Sequence, residues 1–297
     1  MSKSSEPRVW LITGANSGIG LALARAVLDH GDKVIVTARD LKKIPDSISE
    51  AKRICLNLND PDEAIRQVGL DALNIYGRID ILVHNAGAGL PGTVEFVTDA
   101  QLKDNFQTNI FGPLSLTRAL LPAFRDQKSG TVVTISSQGG LVSWPGFSTY
   151  CAGKVAFDFF MEALGAELAP FGVKSLLIQP GFIVTDWWNK AAVVGKRTAN
   201  EVYPHIPGLE ATMAWAVSTG NVSDMDKTIQ KIYEFVTETG EVGAMRKPDL
   251  NRLPLGMDCY GIYSSRVESL SANLKAYESI TKSVNLTEEQ LEKLKKA

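Results

Sequence analysis

Tyr150 and Lys154 are the two residues whose types and spacing point most directly to chemistry. They stand four residues apart at the start of a predicted helix, so the phenol and the ammonium group share one helix face. A positive charge close to a phenol lowers its pKa towards neutral pH, where the phenol can give or take a proton. Ser137 precedes this pair at the predicted end of a strand, and an open α/β sheet collects its ligands at strand ends and helix starts.

A glycine-rich turn over 13–20 indicates a second site, one for an anion. Gly14, Gly18 and Gly20 lie between a predicted strand and a predicted helix, and they allow unusual backbone angles and close approach of a ligand. Free N–H groups at the helix N-terminus favour a phosphate. The alternative is a tight turn that only packs the helix on the strand, but it does not explain three glycines together. We therefore expect a dinucleotide at this turn.

Arg39 and Asp40 follow the second predicted strand, where the adenosine ribose of a dinucleotide would lie. A carboxylate there accepts hydrogen bonds from both ribose hydroxyls, whereas a guanidinium pairs better with a 2′-phosphate. Because Arg39 comes first, we expect NADP, with NAD as the alternative. The fourth strand ends in His-Asn-Ala-Gly over 84–87, where small residues let the backbone approach a flat ligand. We expect His84 itself to be a packed side chain without chemistry.

Strand-length apolar runs alternate with helical patterns from residue 8 to about residue 180, which indicates βαβ units. The predicted strands cover 9–12, 33–37, 54–56, 79–84, 131–135 and 173–178, with a last edge strand over 252–256. We expect an α/β fold, a Rossmann-type doubly wound parallel sheet flanked by helices, in a single domain over 1–297. Its parts would be a cofactor and catalytic core (8–186), a substrate lid with the last strand (187–263) and C-terminal helices (264–297).

The helical patterns give further expectations. Thr98 and Gln101 form a capping box that starts a long helix, which Pro113 should kink. The helix over 150–169 is apolar nearly all round, so we expect it to be buried on more than one side, inside the fold or against another subunit. Over 182–250 no regular alternation is evident, and we interpret this stretch as an insertion over the sheet.

Composition excludes several classes of function. The chain has 297 residues and a formal net charge of −2, so it offers no broad positive field for nucleic acid. No apolar run approaches the roughly 18 to 20 residues of a membrane-spanning helix, and the first residues lack a signal-peptide core. Three distant cysteines support neither a disulfide framework nor a zinc site, so we expect no metal. These features predict a soluble, cytoplasmic protein with no membrane or nucleic-acid partner.

Taken together, the motifs make the chain resemble the short-chain dehydrogenase/reductase family over about residues 8–186. The TGxxxGxG turn over 13–20, the NAG of 85–87, the helix residue Asn109, Ser137, and the YxxxK of Tyr150 and Lys154 match in order. Pro180, Gly181 and Thr185 match the later PG and threonine. Each motif alone is weak, but the ordered set is specific to this family.

The resemblance implies hydride transfer between a nicotinamide and a carbonyl/alcohol pair. Tyr150 would be the general acid or base, Ser137 would hold the substrate oxygen, Lys154 would bind the nicotinamide ribose, and Asn109 would support a proton-relay water. The expected catalytic residues are thus Asn109, Ser137, Tyr150 and Lys154. The expected cofactor-binding residues are Gly14, Asn16, Ser17, Gly18, Ile19, Gly20, Arg39, Asn57, Leu58, Asn85, Ala86, Gly87, Tyr150, Lys154, Pro180, Gly181, Ile183 and Thr185.

The chain departs from the family pattern at a few positions. Asn57 stands where the family commonly has an aspartate near the adenine, but an amide still accepts a hydrogen bond from the adenine amino group. His84 replaces a common asparagine, and Cys151 and Gly153 occupy variable positions inside YxxxK. None of these changes removes an essential group.

Aromatic residues are concentrated where the family places its substrate. The expected substrate contacts are Ser137, Trp144, Tyr150, Trp187 and Trp188, with Phe147, Tyr203, His205 and Trp215 nearby. Because aromatic walls bury large flat surfaces and few charges are at hand, we expect a bulky apolar ketone or alcohol. The alternative is that the tryptophans only pack the lid on the sheet.

Other functions remain open from the sequence. A non-catalytic dinucleotide-binding regulatory protein would keep the fold without turnover, although both Tyr150 and Lys154 are retained. A biosynthetic enzyme could use the same cofactor for imine reduction or epimerisation. The apolar helices over 99–125 and 150–169 lead us to expect a homodimer or homotetramer, because family members commonly pair these helices across a two-fold axis.

Overall fold

A computed structural model describes residues 6–185 and 202–296. Within this part of the chain, seven strands form one sheet in which every pairing is parallel. The strands are β1 (Val9–Ile12), β2 (Lys33–Ala38), β3 (Lys52–Cys55), β4 (Ile81–His84), β5 (Gly130–Ile135), β6 (Val173–Pro180) and β7 (Arg252–Leu255). Their order is β3-β2-β1-β4-β5-β6-β7, so the chain changes direction beside β1, and ligands bind at such a switch point.

Helices cover both faces of the sheet, which confirms the Rossmann-type doubly wound architecture in one domain. They are α1 (Gly18–Asp29), α2 (Asp62–Tyr76), α3 (Asp99–Phe106), α4 (Gly112–Gln127), α5 (Ser148–Leu168), α6 (Leu209–Ser218), α7 (Met225–Thr237), α8 (Gly240–Met245), α9 (Met257–Ala276), α10 (Glu278–Ser283) and α11 (Glu288–Lys295).

The central strands are buried on both faces, as β1 illustrates. Trp10 and Ile12 point into one core, which α1 and α7 complete, whereas Val9 and Leu11 point into a second core completed by α2, α4 and α5. This alternation follows from the two-residue period of a strand, and burial on both faces explains why the strands are nearly continuous apolar runs.

The long helix begins as the sequence predicts and is interrupted one turn early. Thr98 and Gln101 form the capping box of α3. The interruption is a π-helical turn, Gln107–Phe111, and Pro113 is then the second residue of α4. The π-turn lies immediately before Pro113 and contains Asn109, and the expected kink at Pro113 stays a prediction.

The interpretation of 182–250 as an insertion over the sheet is wrong for its second half. Helix α7 packs on α1, and Ile229, Ile232 and Val236 belong to the core that Trp10 enters. Their spacing of three and four residues is that of a buried helix face. The sequence analysis considered only strand–helix alternation and did not predict this face.

Helix α5 and the C-terminal helices expose apolar side chains. Phe157 and Met161 of α5 are buried, whereas Phe159 and Phe160 are exposed on its outer face. Beyond residue 264 the described side chains are all exposed. Among the described residues, no helix is both long and apolar enough to span a bilayer. Cys55, Cys151 and Cys259 are free thiols, and the described residues contain no cluster of three metal-ligating side chains.

Candidate active site

A cleft of about 1300 Å³ lies along the carboxyl ends of the strands. The glycine turn after β1, the ends of β2 and β4, Ser137 after β5, and the segment after β6 all line it. Tyr150 and Lys154 enter from the first turns of α5. Of the predicted cofactor-binding residues, all but Gly20 line this one cleft.

The glycine turn has the geometry of a ligand cradle. Gly14 and Gly18 have φ of +68° and +57°, which disfavours any residue with a Cβ. A Cβ at Gly14 would also lie 2.8 Å from the Ala86 Cα. The amide of Asn85 donates to the carbonyls of Thr13 (2.9 Å) and Gly14 (3.0 Å), which fixes the turn against the end of β4. The backbone N–H groups at the start of α1 are thereby held at the cleft.

Gly20 has a packing role and does not line the cleft. It lies on the first turn of α1, where a Cβ would collide with the side-chain amide of Asn85. The expectation that Gly20 contacts the cofactor therefore does not match the lining of the cleft. Its small size is what lets α1 approach the Asn85 amide.

Two cations and one acidic residue line the cleft after β2. Arg39 and Lys43 both line it, and Lys43 is a residue that the sequence analysis missed. The carboxylate of Asp40 accepts a hydrogen bond from the backbone N–H of Lys42 (3.0 Å) and caps a short 3₁₀ turn, Leu41–Lys43. That turn brings Lys43 back to the cleft, and a turn of this kind is not visible in a motif search.

Asn57 lies in the next loop, where its side chain is held locally. Its Oδ1 accepts from the N–H of Asn59 (3.2 Å) and its Nδ2 donates to Asp60 Oδ1 (2.7 Å). Asn57 still lines the cleft together with Leu58. An amide oxygen has a second lone pair, so Asn57 retains an acceptor for a ligand.

The predicted catalytic residues Ser137, Tyr150 and Lys154 meet in the cleft. Tyr150 and Lys154 share one face of α5, with the Lys154 Nζ 5.9 Å from the centre of the Tyr150 ring. The Lys154 ammonium donates to the carbonyl of Ile135 at the end of β5 (2.8 Å). The hydroxyls of Ser137 and Tyr150 are hydrogen-bonded to each other. Ser137 Oγ also accepts from the N–H of Gly139 (3.1 Å).

Burial sets the charge states of this pair. Burial raises the pKa of Tyr150 to about 12, and the hydrogen bond from Ser137 only partly opposes the rise. Burial also lowers the pKa of Lys154 to about 8, while the charge of Asp158 opposes that fall. The expected lowering of the Tyr150 pKa by Lys154 is thus wrong for this structure, because desolvation of the phenolate dominates. At neutral pH the phenol holds its proton.

Asn109 lies behind the cleft and does not line it. Its Oδ1 accepts from the N–H of Ala88 (2.9 Å), and its Nδ2 donates to the carbonyl of Ala88 (2.9 Å) and to Asn105 Oδ1 (3.0 Å). A Cβ at Gly87 would lie 3.0 Å from Asn109 Oδ1 and 3.8 Å from Lys154 Nζ. The side chain of Asn109 therefore fixes the loop after β4 beside Lys154, and the expected proton-relay role stays a prediction.

His84 is a structural residue. It is buried, its Nε2 is hydrogen-bonded to Thr117 Oγ1 (2.7 Å), and its ring meets Phe157 edge-on. Burial lowers the pKa of His84 to about 3, so the ring is neutral. The expectation of a packed histidine is confirmed.

The far end of the cleft is predominantly apolar. Its lining residues beyond the catalytic group include Trp144, Pro145, Phe147, His205, Ile206, Pro207, Ala211, Trp215, Met257 and Ile262. Trp187 and Trp188, the other expected substrate contacts, lie outside the described residues. Tyr203 is not in the lining, and its hydroxyl donates to Glu95 (2.5 Å). The sequence analysis missed the contribution of Met257 and Ile262, because α9 carries no family motif.

Comparisons with known proteins agree with this geometry. The family model described as short chain dehydrogenase matches residues 8–193. The chain is 31% identical to Oxidoreductase BOA17 of Botryotinia fuckeliana over 90% of this chain and 95% of that one. It is 32% identical to a 3-ketodihydrosphingosine reductase of Bacteroides thetaiotaomicron over 67% of this chain and 72% of that one. The crystal structure of a Streptomyces avermitilis short-chain dehydrogenase superposes with a TM-score of 0.81 at 36% identity, covering 96% and 100% of the two chains.

Proposed function

The chain belongs to the short-chain dehydrogenase/reductase family of NAD(P)-dependent oxidoreductases, and on this premise we propose that it interconverts a carbonyl group and an alcohol on a bulky apolar substrate with NADP(H). The observation that carries the proposal is the Tyr150 hydroxyl, protonated at neutral pH and hydrogen-bonded to Ser137 beside Lys154. The same cleft continues to the glycine turn on one side and to an apolar chamber on the other.

The residues of the cleft fit a dinucleotide. The positive φ of Gly14 and Gly18 and the start of α1 form a cradle for a pyrophosphate. The loop of Asn85 to Gly87 leaves room for a flat ring, because Gly87 has no Cβ to fill the space beside Asn109 and Lys154. When bound, the nicotinamide supplies or accepts the hydride. In this arrangement Lys154 would hold the nicotinamide ribose.

Proton transfer is assigned to Tyr150. In the reduction direction its phenol, which keeps its proton below a pKa of about 12, donates to the substrate oxygen. Ser137 holds that oxygen through its hydroxyl, and the Lys154 ammonium stabilises the phenolate that is left. We propose that Asn109 supports these three residues by fixing the loop after β4. We also assign to it the expected support of a proton-relay water.

The preference for NADP rests on the groups after β2. Arg39 and Lys43 place two positive charges at the cleft, and the Asp40 carboxylate is engaged by the N–H of Lys42. Two cations favour a 2′-phosphate, whereas NAD recognition uses a free carboxylate on the ribose hydroxyls. NAD is the alternative cofactor.

The substrate class rests on the apolar chamber. Trp144, Phe147, Trp215 and Ile262 offer large apolar surfaces, and the lining residues of this chamber that the structure describes include no lysine or arginine. A related chain, 32% identical, is named for a reductase of a ketone, 3-ketodihydrosphingosine. We expect a ketone with a large apolar group, or the matching alcohol.

A panel of ketones with NADPH and NADH tests the proposal. We expect NADPH-dependent reduction of bulky apolar ketones in preference to small charged ones. Preference for small charged ketones would reject the substrate class. Binding of NADPH with no turnover on ketones or imines would instead favour the alternative of a dinucleotide-binding regulatory protein, and turnover of imines alone would favour imine reduction.

A further inference from the structure

Asp158 is a buried carboxylate on the catalytic helix. It follows Lys154 by one turn of α5 and Tyr150 by two, so the three residues lie along one face. Its exposed fraction is 0%. A buried carboxylate is costly unless nearby groups pair with it, so its partners indicate why it is there.

The partners of Asp158 come from two neighbouring strands, β6 and β7. The amide of Gln179 on β6 donates to Asp158 Oδ2 at 2.8 Å, and the guanidinium of Arg252 on β7 approaches the same oxygen at 3.4 Å. Gly140 leaves the space for this cluster, since a Cβ there would collide with Asp158 Oδ2 and lie 2.8 Å from Ser136 Oγ. Ser136 directly precedes Ser137, so the cluster lies immediately behind the catalytic group.

The same cluster holds the C-terminal wall of the cleft. The Tyr263 hydroxyl donates to Gln179 Oε1, and the Cys259 thiol donates to the Gln179 backbone carbonyl (3.1 Å). Arg252 also pairs with Glu162 on α5 (2.8 Å). The segment 252–263 is therefore bonded to α5 through Asp158 and its neighbours, and it lines the cleft through Met257 and Ile262.

The charge of Asp158 acts on the catalytic pair. Burial raises the pKa of Asp158 to about 6, and the Ser136 hydroxyl, Arg252 and Lys154 oppose the rise. Asp158 is therefore mostly ionised at neutral pH. Its negative charge raises the pKa of Lys154 and that of Tyr150.

We propose that Asp158 is a positioning residue for the Tyr150 and Lys154 pair: its carboxylate keeps the Lys154 ammonium charged, and it holds the segment 252–263 against the catalytic helix. The inference rests on the proposed function. Asp158 does not touch the reacting atoms, because it lies behind the cleft and does not line it.

The test compares the wild-type chain with Asp158→Asn and Glu162→Gln. The kcat/KM for the ketone that the panel shows to be reduced fastest is measured with NADPH from pH 6 to pH 9. Loss of the charge lowers the pKa of both Lys154 and Tyr150, so the alkaline limb of the Asp158→Asn profile should move down by about one pH unit. Activity should then fall about fivefold at pH 8 and change little at pH 6.

Glu162→Gln is the matched control. It removes a carboxylate that also pairs with Arg252 on the same helix, but one that does not act on Lys154. Its alkaline limb should coincide with the wild-type limb. An unshifted limb in Asp158→Asn, or equal shifts in both variants, would overturn the inference.

NADPH affinity, followed by fluorescence across the same pH range, gives a readout without turnover. The affinity of Asp158→Asn should begin to fall at lower pH than that of the wild type. If Asp158→Asn does not fold, Asp158→Ser, which leaves room for a water at Gln179, replaces it. If neither variant folds while Glu162→Gln does, Asp158 is structural and the inference is wrong. Failure of the proposed function would show itself separately. In that case Tyr150→Phe would keep the full rate of ketone reduction, whatever the pH dependence of NADPH binding.

Discussion

At Tyr150, burial changes the pKa of the phenol more than the neighbouring Lys154 ammonium does. The pKa of the phenol is raised to about 12 and that of Lys154 is lowered to about 8, both through desolvation. The pair is therefore neutral phenol and ammonium at pH 7, which suits donation of a proton to a carbonyl oxygen. As pH rises through about 8, the ammonium is lost first, and reduction should decline with it.

At the residue scale, the proposed preference for NADP rests on Arg39 and Lys43. We predict that Arg39→Ala combined with Lys43→Ala weakens NADPH binding by about tenfold or more, because two charges facing a 2′-phosphate are lost. NADH binding should change by less than about threefold. The measurement is the dissociation constant of each cofactor by fluorescence titration.

Lys42→Ala is the control for that experiment. It removes a positive charge from the same short turn, but the Lys42 side chain does not line the cleft. Its NADPH affinity should stay close to the wild-type value. A double variant that loses NADPH and NADH affinity equally would contradict the assignment of the two cations to the 2′-phosphate.

Single residues show what the sequence could and could not predict. The spacing of Ser137, Tyr150 and Lys154 predicted their meeting, because a strand end and a helix face fix their positions. Lys43 and Asp158 escaped prediction, since each reaches its place through a turn or a cluster assembled from several strands. The pKa of Tyr150 was predicted with the wrong sign, because spacing reports a nearby charge and not the loss of water.

Among the elements, α7 shows a packing role that the sequence analysis did not recognise. Ile232 is fully buried between α7 and the sheet. We predict that Ile232→Ala lowers the free energy of unfolding by about 2 to 5 kcal/mol, the usual cost of removing a buried isoleucine side chain. Urea denaturation without cofactor measures this change.

Val217→Ala is the corresponding control. Val217 lies on α6 and is 58% exposed, so truncation should change the free energy of unfolding by no more than about 0.5 kcal/mol. Equal effects of the two substitutions would show that α7 does not belong to the core.

The strands were easier to predict than the helices after β6. Buried parallel strands are short apolar runs, and every predicted strand overlaps an observed one. The π-turn of Gln107–Phe111 could not be predicted, because its sequence continues the helical pattern and only the hydrogen bonding differs. Helix α7 was not predicted, because the sequence analysis looked for alternating strands and helices in this stretch and did not recognise the helical period of its apolar residues.

For the whole molecule, the exposed apolar side chains of α5 and of the π-turn before α4 predict self-association. Phe111, Phe159 and Phe160 are each at least half exposed, an apolar surface that water does not favour. We predict a homodimer or homotetramer in sedimentation, and replacement of Phe159 and Phe160 by glutamate should shift the protein towards the 32.2 kDa chain. A wild-type chain that sediments only as the monomer would contradict this prediction.

Under the proposed function, the activity of the whole molecule depends on one hydroxyl. Tyr150→Phe removes the proton donor but keeps the ring, its packing and the position of Lys154. With NADPH and the best ketone of the panel, we predict a fall in kcat of about 100-fold or more, with NADPH affinity close to that of the wild type. A Tyr150→Phe enzyme that retains the full rate of ketone reduction would contradict the account.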